Sequence, residues 1–320
     1  MSHVAVIALT YRRPAGLKKL LDSLARQRAG AEPFKLTAII IDNDAAGSGE
    51  AVARSYPARD DFAVHYQIEQ TQGIPYARNA GLDAVPADCE FLCFIDDDEF
   101  APDDWLANLL ATQRATGAEC VHGAVIPVYP DNAPQWLVRS KVFDSWNYPD
   151  RAPLKAAASN NVMISTAFVR RSGLRFEERM RMTGGTDYLY FKQAVRQGLT
   201  IVWSAGAPVY EDIPRSRMTL RWLAQRQYRL GNTFTVSERI DGTRLGLLRW
   251  AAIGVARVGL GIVLLPAFLF SPRYAMRSVV HLLRGLGILA GASGHSHQEY
   301  APASLAKDRT QAANSANGAG

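Results

Sequence analysis

Short apolar runs alternate with amphipathic segments over the first 130 residues of this 320-residue chain, and the alternation restricts the folds open to it. The apolar runs are rich in β-branched and aromatic residues, which is typical of strands, and they cover residues 3–9, 36–41, 64–68 and 91–95. The segments between them have helical spacing and cover residues 14–28, 49–56, 74–85 and 103–116. Strands that alternate with helices build a mainly parallel sheet covered on both faces, so the sequence predicts an α/β domain.

Composition excludes several classes of protein. Hydrophobic residues make up 48% of the chain, enough for the core of one large domain or two smaller ones. The net charge of +6 invites a polyanionic partner, but the arginines concentrate in the apolar C-terminal third without a recognition motif, so we expect no nucleic acid. The three cysteines form no CxxC pair, which argues against a disulfide framework or zinc site and fits a reducing cytoplasm. The first residues lack the basic and apolar regions of a signal peptide and predict a strand.

The fourth apolar run ends in four consecutive acids, Asp96, Asp97, Asp98 and Glu99. If the extended geometry persists, Asp96 and Asp98 share one face while Asp97 points away. Crowded carboxylates are unfavourable without a counter-charge, and a divalent cation with oxygen ligands, Mg²⁺ or Mn²⁺, usually supplies it. The alternative is a solvated acidic turn that caps the next helix, but this does not explain Asp96, which adjoins the apolar strand.

The middle of the chain predicts further elements. Residues 130–160 hold several prolines and aromatic residues, and we expect a long, mostly irregular excursion there. The patterns that follow predict a strand at 159–165, a helix that begins at Thr186 or Asp187, a pair of strands within 199–212 and a helix at 219–228.

The C-terminal region changes in character after residue 244. Its longest uncharged run, residues 258–272, has fifteen residues, fewer than the roughly 20 that a membrane-spanning helix needs, and arginines flank it on both sides. This pattern predicts an interfacial or re-entrant hydrophobic helical hairpin on an anionic membrane surface. A buried helical hairpin of a soluble domain is the alternative. The predicted domains are therefore 1–235, a membrane-associating segment at 236–292, and a disordered tail at 293–320 that is rich in Ala, Ser, Asn and Gly.

Five segments, in this order, resemble the family 2 glycosyltransferases: VAVIALTYRRP, IIIDND, QGIPYARNAGL, FIDDDEF and GGTDYLYF. The resemblance covers residues 3 to about 232 and implies the GT-A fold, a Rossmann-like mixed, mainly parallel sheet with helices on both faces. A later segment, VYEDIPRSRMTLRWLAQRQYRLGN, is similar to the succinoglycan type of bacterial exopolysaccharide glycosyltransferases. The Gln-x-x-Arg-Trp signature of processive synthases is absent, so we expect transfer of a single sugar.

The resemblance implies a nucleotide-sugar donor, most simply a UDP-sugar, bound across the strand ends. It assigns donor binding to residues that follow the strands and open the third helix: Thr10, Tyr11, Asp42, Asn43, Asp44, Arg78, Asn79, Asp96 and Asp97. A guanidinium such as that of Arg78 can also form paired hydrogen bonds to a diphosphate. The resemblance implies that Asp98 binds Mn²⁺ or Mg²⁺, with Asp96 in contact with the metal or the ribose. Glu211 is either a further metal ligand or a structural partner of a nearby arginine.

Asp187 matches the position of the family's general base, which takes the proton of the acceptor hydroxyl as it attacks the anomeric carbon. Thr186 and Asp187 also suit the N-terminus of a helix, and capping is compatible with catalysis. Aromatic residues of the irregular segment could stack on acceptor sugars or could hold that segment against the core; they are Trp136, Trp146 and Tyr148.

These features predict an inverting, metal-dependent glycosyltransferase on the cytoplasmic side of the bacterial inner membrane, bound peripherally or by a re-entrant segment. It would transfer one sugar to a saccharide acceptor, expected to be lipid-linked, in exopolysaccharide or cell-surface glycan synthesis. Two alternatives stay open. One is a sugar nucleotidyltransferase, which would release pyrophosphate instead of a nucleoside diphosphate, and the other is a catalytically silent scaffold that binds sugar nucleotides.

Overall fold

The predicted strands form a mixed, mainly parallel sheet. The computed structural model describes residues 1–30, 33–144, 147–181, 183–266 and 272–296. In this part of the chain the strands are β1 (Ser2–Thr10), β2 (Phe34–Asp42), β3 (Phe62–Ile68), β4 (Phe91–Asp96), β5 (Glu99–Phe100), β6 (Cys120–Val128), β7 (Pro153–Leu154), β8 (Val162–Ser165) and β9 (Ile201–Asp212). Their order across the sheet is β3-β2-β1-β4-β8-β6-β9-β5, and β7 pairs with β9. Strands β1 to β4 pair in parallel, as do β6 and β9, whereas β5, β7 and β8 run antiparallel to their neighbours.

The described helices follow the predicted alternation. They are α1 (Pro14–Ala25), α2 (Glu50–Arg54), α3 (Ile74–Asp83), α4 (Trp105–Thr116), α5 (Gln135–Ser140), α6 (Thr166–Ser172), α7 (Thr186–Arg196), α8 (Leu220–Asp241), α9 (Arg244–Val263) and α10 (Pro272–Ala292). Alternate residues of β1 separate two apolar cores. Val4 and Val6 are buried with α1 and α4 on one face, whereas Ala5 and Ile7 are buried with α3, α6 and α7 on the other. Helices therefore cover both faces, which confirms the predicted fold class and explains why the central strands β1, β2 and β4 are almost wholly buried.

Parallel register brings the ends of three strands to one edge of the sheet. Thr10, at the end of β1, lies opposite Asp42, at the end of β2. Leu9 lies opposite Asp96, the last residue of β4. Ligands of such sheets bind beyond the carboxyl ends of the strands, so the acidic end of β4 and the polar ends of β1 and β2 lie at the edge where a ligand is expected.

One predicted element is wrong. Residues 199–212 do not form two strands, because β9 is a single strand of 12 residues. It runs parallel to β6 with a register shift after Gly123, and this irregularity lets β9 continue through Gly206, which in sequence is typical of a turn. Asn161 stabilises the site of the shift, since its Nδ2 donates hydrogen bonds to carbonyl oxygens of both strands at 2.7 and 2.8 Å.

The chain divides into two compact units. The first unit, Met1–Val128, Asp144–Arg179 and Thr186–Asp212, contains the sheet with α1 to α4, α6 and α7. The second unit, Tyr129–Phe143, Met180–Gly185 and the chain from Ile213 onward, contains α5 and α8 to α10. The predicted domain limits at 235 and 292 stay predictions.

Within the second unit, α10 packs closely against α8. Helix α8 continues to Asp241, well beyond the predicted end at 228. Gly231 and its following residue resemble the end of a helix, but here the glycine serves packing: a Cβ atom on it would lie 2.1 Å from the backbone oxygen of Arg284. The segment at 267–271, between α9 and α10, and the greater part of the predicted disordered tail, 297–320, lie outside the described residues.

Candidate active site

The carboxylates at the end of β4, Asp96 to Glu99, form an acidic cluster together with Glu211 of β9. Asp97 is its most firmly held member. It is buried, and its Oδ2 accepts a hydrogen bond of 2.9 Å from the hydroxyl of Thr10. Its Oδ1 accepts a second of 3.0 Å from Nη1 of Arg13. Both oxygens therefore serve to join the ends of β1 and β4, and Thr10 contributes to the site through this bond.

Arg13 also holds Asp98, and the sequence did not indicate this role. The same Nη1 donates a hydrogen bond of 3.0 Å to Oδ2 of Asp98, so one guanidinium bridges two neighbouring acids. Arg13 immediately precedes α1, whose Gly16 would place a Cβ atom 2.5 Å from the backbone oxygen of Asp97. The only sequence signal was a basic residue directly after the first strand, and such a residue usually lies at a solvated helix end.

The remaining acids repel one another at the end of β4. Burial, followed by the negative charge of Asp98, raises the pKa of Asp96 to about 7, while the charge of Arg78 opposes this shift. The side chain of Glu99 accepts a hydrogen bond of 2.9 Å from the backbone amide of Asp96. Burial and then the charge of Asp96 raise the pKa of Glu99 well above its usual value. Glu211 lies opposite Glu99 across the β5–β9 pair, and its charge also raises both pKa values.

This cluster suits a hard divalent cation. Its donors are all carboxylate oxygens, which Mg²⁺ and Mn²⁺ prefer, and the pKa values of Asp96 and Glu99 are raised by burial first and then by the neighbouring carboxylates. The side-chain oxygens of Asp96, Asp98 and Glu211 are not gathered to within 4.8 Å of one another in the described part of the chain. A cation would have to draw them together.

The described residues do contain one tighter group of possible metal ligands, formed by His3, Asp88 and Cys89. Packing explains this group, because both ring nitrogens of His3 are already engaged. Its Nδ1 lies 2.9 Å from Oδ2 of Asp88, and its Nε2 lies 2.9 Å from Oγ1 of Thr37. His3 and Asp88 lie at the opposite ends of the strands from the acidic cluster.

Asp42 shapes the loop that follows β2. Its Oδ1 accepts a hydrogen bond of 3.0 Å from the backbone amide of Asp44. Its Oδ2 accepts bonds of 2.6 Å from the amide of Gly49 and 2.9 Å from the hydroxyl of Tyr66. Asp42 is fully buried, so it positions the predicted donor-binding loop through these hydrogen bonds.

Asn43 and Asp44 fix the same loop to its neighbours. The Nδ2 of Asn43 donates to the carbonyl oxygens of Glu69 and Thr71 at 3.0 and 2.8 Å. Arg12 forms two hydrogen bonds to Asp44, at 2.9 and 3.2 Å, and these hold the pKa of Asp44 below its usual value. The guanidinium of Arg12 also lies 5.1 Å from the centre of the Tyr11 ring.

Arg78 connects the acidic cluster with the start of α7. It is buried, and its Nη1 donates a hydrogen bond of 2.6 Å to the hydroxyl of Thr186, the first residue of α7. Its charge also acts on Asp96. Asn79 is occupied differently: its amide pairs with the backbone of Phe176, accepting at 2.8 Å and donating at 3.0 Å.

Asp187 follows Thr186 in the first turn of α7, and its Oδ1 accepts a hydrogen bond of 2.8 Å from the amide of Tyr188. Two glycines precede the helix, Gly184 and Gly185, with φ of 72° and 77°, a backbone conformation that favours glycine. Asp187 also acts on buried His122. Burial lowers the pKa of His122, and the hydrogen bond with the Asn161 backbone and then the charge of Asp187 oppose this shift.

The aromatic residues predicted to contact the acceptor lie in different places. Tyr148 packs edge-on against Trp203 in the first unit, with ring centres 5.5 Å apart. Trp136 packs against the apolar core of the second unit. Trp146 lies outside the described residues. The contacts of Tyr148 and Trp136 hold their segments in place, and their contact with an acceptor stays a prediction.

A mixed, mainly parallel sheet with helices on both faces and carboxylates beside arginines at its strand ends has the architecture of an α/β enzyme whose ligand binds at that edge. Residues 5–176 match the family described as Glycosyl transferase family 2. The chain belongs to this family and is a glycosyltransferase.

Individual relatives extend the match. The chain is 31% identical over 299 residues to the succinoglycan biosynthesis protein ExoM of Rhizobium meliloti (strain 1021), covering 91% of this chain and 93% of that protein. It is 30% identical over 142 residues to the uncharacterized glycosyltransferase YwdF of Bacillus subtilis (strain 168), covering 44% and 49% of the two chains.

Two solved structures share the fold. Residues 1–349 of S. aureus TarS superpose with a TM-score of 0.53 at 17% identity, covering 93% of each chain. The mannosyltransferase PcManGT of Pyrobaculum calidifontis, solved in complex with GDP-Man and Mn²⁺, superposes with a TM-score of 0.54 at 17% identity, covering 97% of this chain and 79% of that one.

Proposed function

We propose that the protein transfers a single sugar, with inversion, from a nucleotide-sugar donor to a lipid-linked saccharide in the synthesis of an exopolysaccharide or related surface glycan. The observation that carries the proposal is the position of Arg78. Its charge acts on Asp96 and its Nη1 donates to Thr186, next to Asp187, so the acidic cluster and the candidate base adjoin the same buried guanidinium.

The donor side of the site needs positive charge and a rigid platform. Arg78 offers a fork of N–H donors that fits a diphosphate, and the loop held by Asp42 and Asn43 forms a fixed surface for the base and ribose. Asp96, Asp98 and Glu211 would hold Mg²⁺ or Mn²⁺. When bound, the cation neutralises charge that develops on the leaving diphosphate. TarS has also been solved with UDP-GlcNAc, which supports a UDP-sugar as the first donor to test.

The acceptor side needs a base. Asp187 is only partly buried, so its carboxylate is open to an acceptor hydroxyl. Its carboxylate takes the proton of that hydroxyl while the oxygen attacks the anomeric carbon from the face opposite the diphosphate. A single displacement of this kind inverts the configuration at that carbon.

The membrane part of the proposal rests on α9. By length and composition it is the one helix in the described residues that could cross a membrane, and most of its apolar window is exposed. Leu248, Val255 and Ile262 recur every seven residues and are 68%, 62% and 55% exposed. Exposure of this kind does not fit the alternative of a buried hairpin. We infer that α9 lies in the interface of the bacterial inner membrane on its cytoplasmic side, with its apolar face towards the lipid.

A donor screen with a matched pair of variants tests the proposal. UDP-, GDP- and dTDP-sugars are supplied with Mn²⁺ or Mg²⁺, and release of nucleoside diphosphate is measured against release of pyrophosphate. We expect nucleoside diphosphate, and Asp187→Asn should lower turnover by about 10²-fold or more while donor binding is kept. Asp104→Asn is the control, since Asp104 is exposed at the start of α4 and its side chain forms no capping hydrogen bond. Pyrophosphate release would instead indicate nucleotidyl transfer, and full turnover of Asp187→Asn would remove the assignment of the base.

A further inference from the structure

Arginines gather in the part of the second unit formed by α9 and α10, where the chain has no acids. Between residues 244 and 296 the chain contains no Asp or Glu, and its arginines are Arg244, Arg249, Arg257, Arg273, Arg277 and Arg284. Helix α8 adds Arg226, whose guanidinium lies over the rings of Phe143 and Trp222 at 5.5 and 5.2 Å. Positive charge therefore collects on three helices of one unit.

The packing of α9 against α10 places Arg257 and His281 at the same level along the two helices. The hydroxyl of Ser278 donates a hydrogen bond of 2.7 Å to the carbonyl oxygen of Gly261. Further along the same contact, a Cβ atom on Gly285 would lie 2.8 Å from the carbonyl oxygen of Gly254. Arg257 lies between these contacts on α9, and His281 lies between them on α10. Arg284 follows one turn after His281.

The electrostatics of this cluster are one-sided. Burial, followed by the charges of Arg257 and Arg226, lowers the pKa of Arg284 to about 10. Burial and then nearby arginines, Arg257 first, lower the pKa of His281. The Nε of Arg284 donates at 2.6 Å to the uncharged Gln227. Within the described residues, Nδ1 of His281 is buried and has no hydrogen-bond partner.

We propose that Arg257, His281 and Arg284 form a binding site for a phosphate or diphosphate group carried by a lipid. Partly buried cations without a counter-ion are unfavourable, and phosphate oxygens accept strong charge-assisted hydrogen bonds from guanidinium groups. Helix α9 contributes Arg257 to this site and also carries exposed apolar residues. The arginine can bind the phosphate of a lipid, and the apolar residues can contact its acyl or prenyl chain. The group belongs to a lipid-linked acceptor, in which case the site rests on the proposed function, or to a phospholipid headgroup.

Vesicle sedimentation with the full chain tests the site. The vesicles contain phosphatidylcholine alone, phosphatidylcholine with phosphatidylglycerol, or phosphatidylcholine with a polyprenyl diphosphate. The test variant is Arg257→Gln with Arg284→Gln. Its control, Arg244→Gln with Arg249→Gln, removes the same charge from exposed positions on α9. We expect the test variant to bind vesicles that contain phosphatidylglycerol or polyprenyl diphosphate about tenfold or more weakly and the control variant to change by about twofold or less.

The lipid that shows the effect identifies the source of the phosphate. Weakening only with polyprenyl diphosphate assigns the site to the acceptor, and weakening with both lipids assigns it to lipid phosphate in general. Equal weakening by the two pairs of substitutions, or none by either, overturns the proposal, because diffuse charge would then explain the binding.

Thermal unfolding keeps the proposal testable if a variant is unstable. Inorganic pyrophosphate should raise the midpoint of unfolding of the parent chain more than that of Arg257→Gln with Arg284→Gln, which keeps the diphosphate site proposed at Arg78, and an equal rise in both would contradict the site. Without phosphate, Arg284→Gln alone should raise the midpoint, because it removes a repelled charge. Sugar-nucleotide binding is measured in the absence of lipid. A parent chain that binds no sugar nucleotide would contradict the proposed function, while its lipid binding would still decide for or against this site.

Discussion

At the scale of single residues, Arg13 is a positioning residue for the acidic cluster. It bridges Asp97 and Asp98 with bonds of 3.0 Å each, so it fixes the direction of a predicted metal ligand. We expect Arg13→Gln to weaken Mn²⁺ binding by about tenfold, the effect typical of residues that orient metal ligands, and to lower kcat more than it raises KM. Arg13→Lys should restore only part of the affinity, since an ammonium lacks the planar fork.

The control for this variant is Arg54→Gln, which removes an arginine paired with Glu50 on the surface of α2. Calorimetric titration with Mn²⁺ gives the comparison. If Arg13→Gln and Arg54→Gln bind Mn²⁺ equally well, Arg13 is merely a surface residue and its positioning role is wrong.

Asp44 allows a test by pH. Its hydrogen bonds with Arg12 lower the pKa of Asp44 in the folded state. The stabilisation is therefore complete above the unfolded pKa, about 3.9, and is lost as pH falls through the folded pKa. We expect Asp44→Asn to lower the free energy of unfolding by about 1 kcal/mol at neutral pH, with the difference from the parent chain shrinking below about pH 4. Urea unfolding at several pH values measures this, and a difference that stays constant in acid would count against the pair.

The acids of the site could be predicted because a buried strand that ends in charges has few structural explanations. Asp96, Asp98 and Asp187 were proposed as site residues in this way or by resemblance, and their roles stay predictions. Arg13 and Asn161 could not be, because their partners lie far away in sequence and their own neighbours look like ordinary loop or helix-end residues. A single sequence shows which groups are unusual but does not show which distant groups meet them.

At the scale of elements, the start of α1 must approach the acidic loop closely. A Cβ atom on Gly16 would lie 2.5 Å from the backbone oxygen of Asp97, so Gly16→Ala must displace the helix or the loop. We expect it to cost about 1–3 kcal/mol of stability and to reduce the rate of sugar transfer, although alanine favours helices.

Gly259→Ala is the matched control, because nothing lies within 4 Å of a Cβ atom at that position of α9. It should stabilise the chain by up to about 1 kcal/mol. Chemical denaturation and initial rates compare the two variants, and equal behaviour would show that the close approach of α1 is unimportant.

Most elements of the first 130 residues were predictable because the central strands β1, β2 and β4 are buried on both faces and the helices between them have an apolar face. Prediction failed where glycine has a packing role. Gly206 lies inside β9 because β6 has an irregularity at Gly123, and Gly231 lies inside α8 because α10 crosses there. In both cases the cause is a partner element, which local sequence does not contain.

At the scale of the whole molecule, the exposed face of α9 predicts membrane association. Leu248→Glu with Val255→Glu should move the protein from the membrane fraction to the soluble fraction. Each substitution removes up to about 2 kcal/mol of favourable free energy for transfer of an apolar side chain to the membrane, and each adds a negative charge. Ile126→Glu with Val128→Glu makes the same change at exposed positions of β6 and should have no effect. Fractionation after gentle lysis measures this. A parent chain found wholly in the soluble fraction would refute association with the membrane.

The most direct test concerns the acidic cluster itself. Isothermal titration calorimetry compares binding of Mn²⁺ together with a nucleotide sugar to the parent chain, to Asp96→Ala with Asp98→Ala, and to the Asp104→Ala control. If the cluster holds a cation that binds the donor diphosphate, the parent chain and the control bind alike, and the double variant loses at least about a hundredfold in affinity. Undiminished binding by the double variant would contradict this role of the cluster.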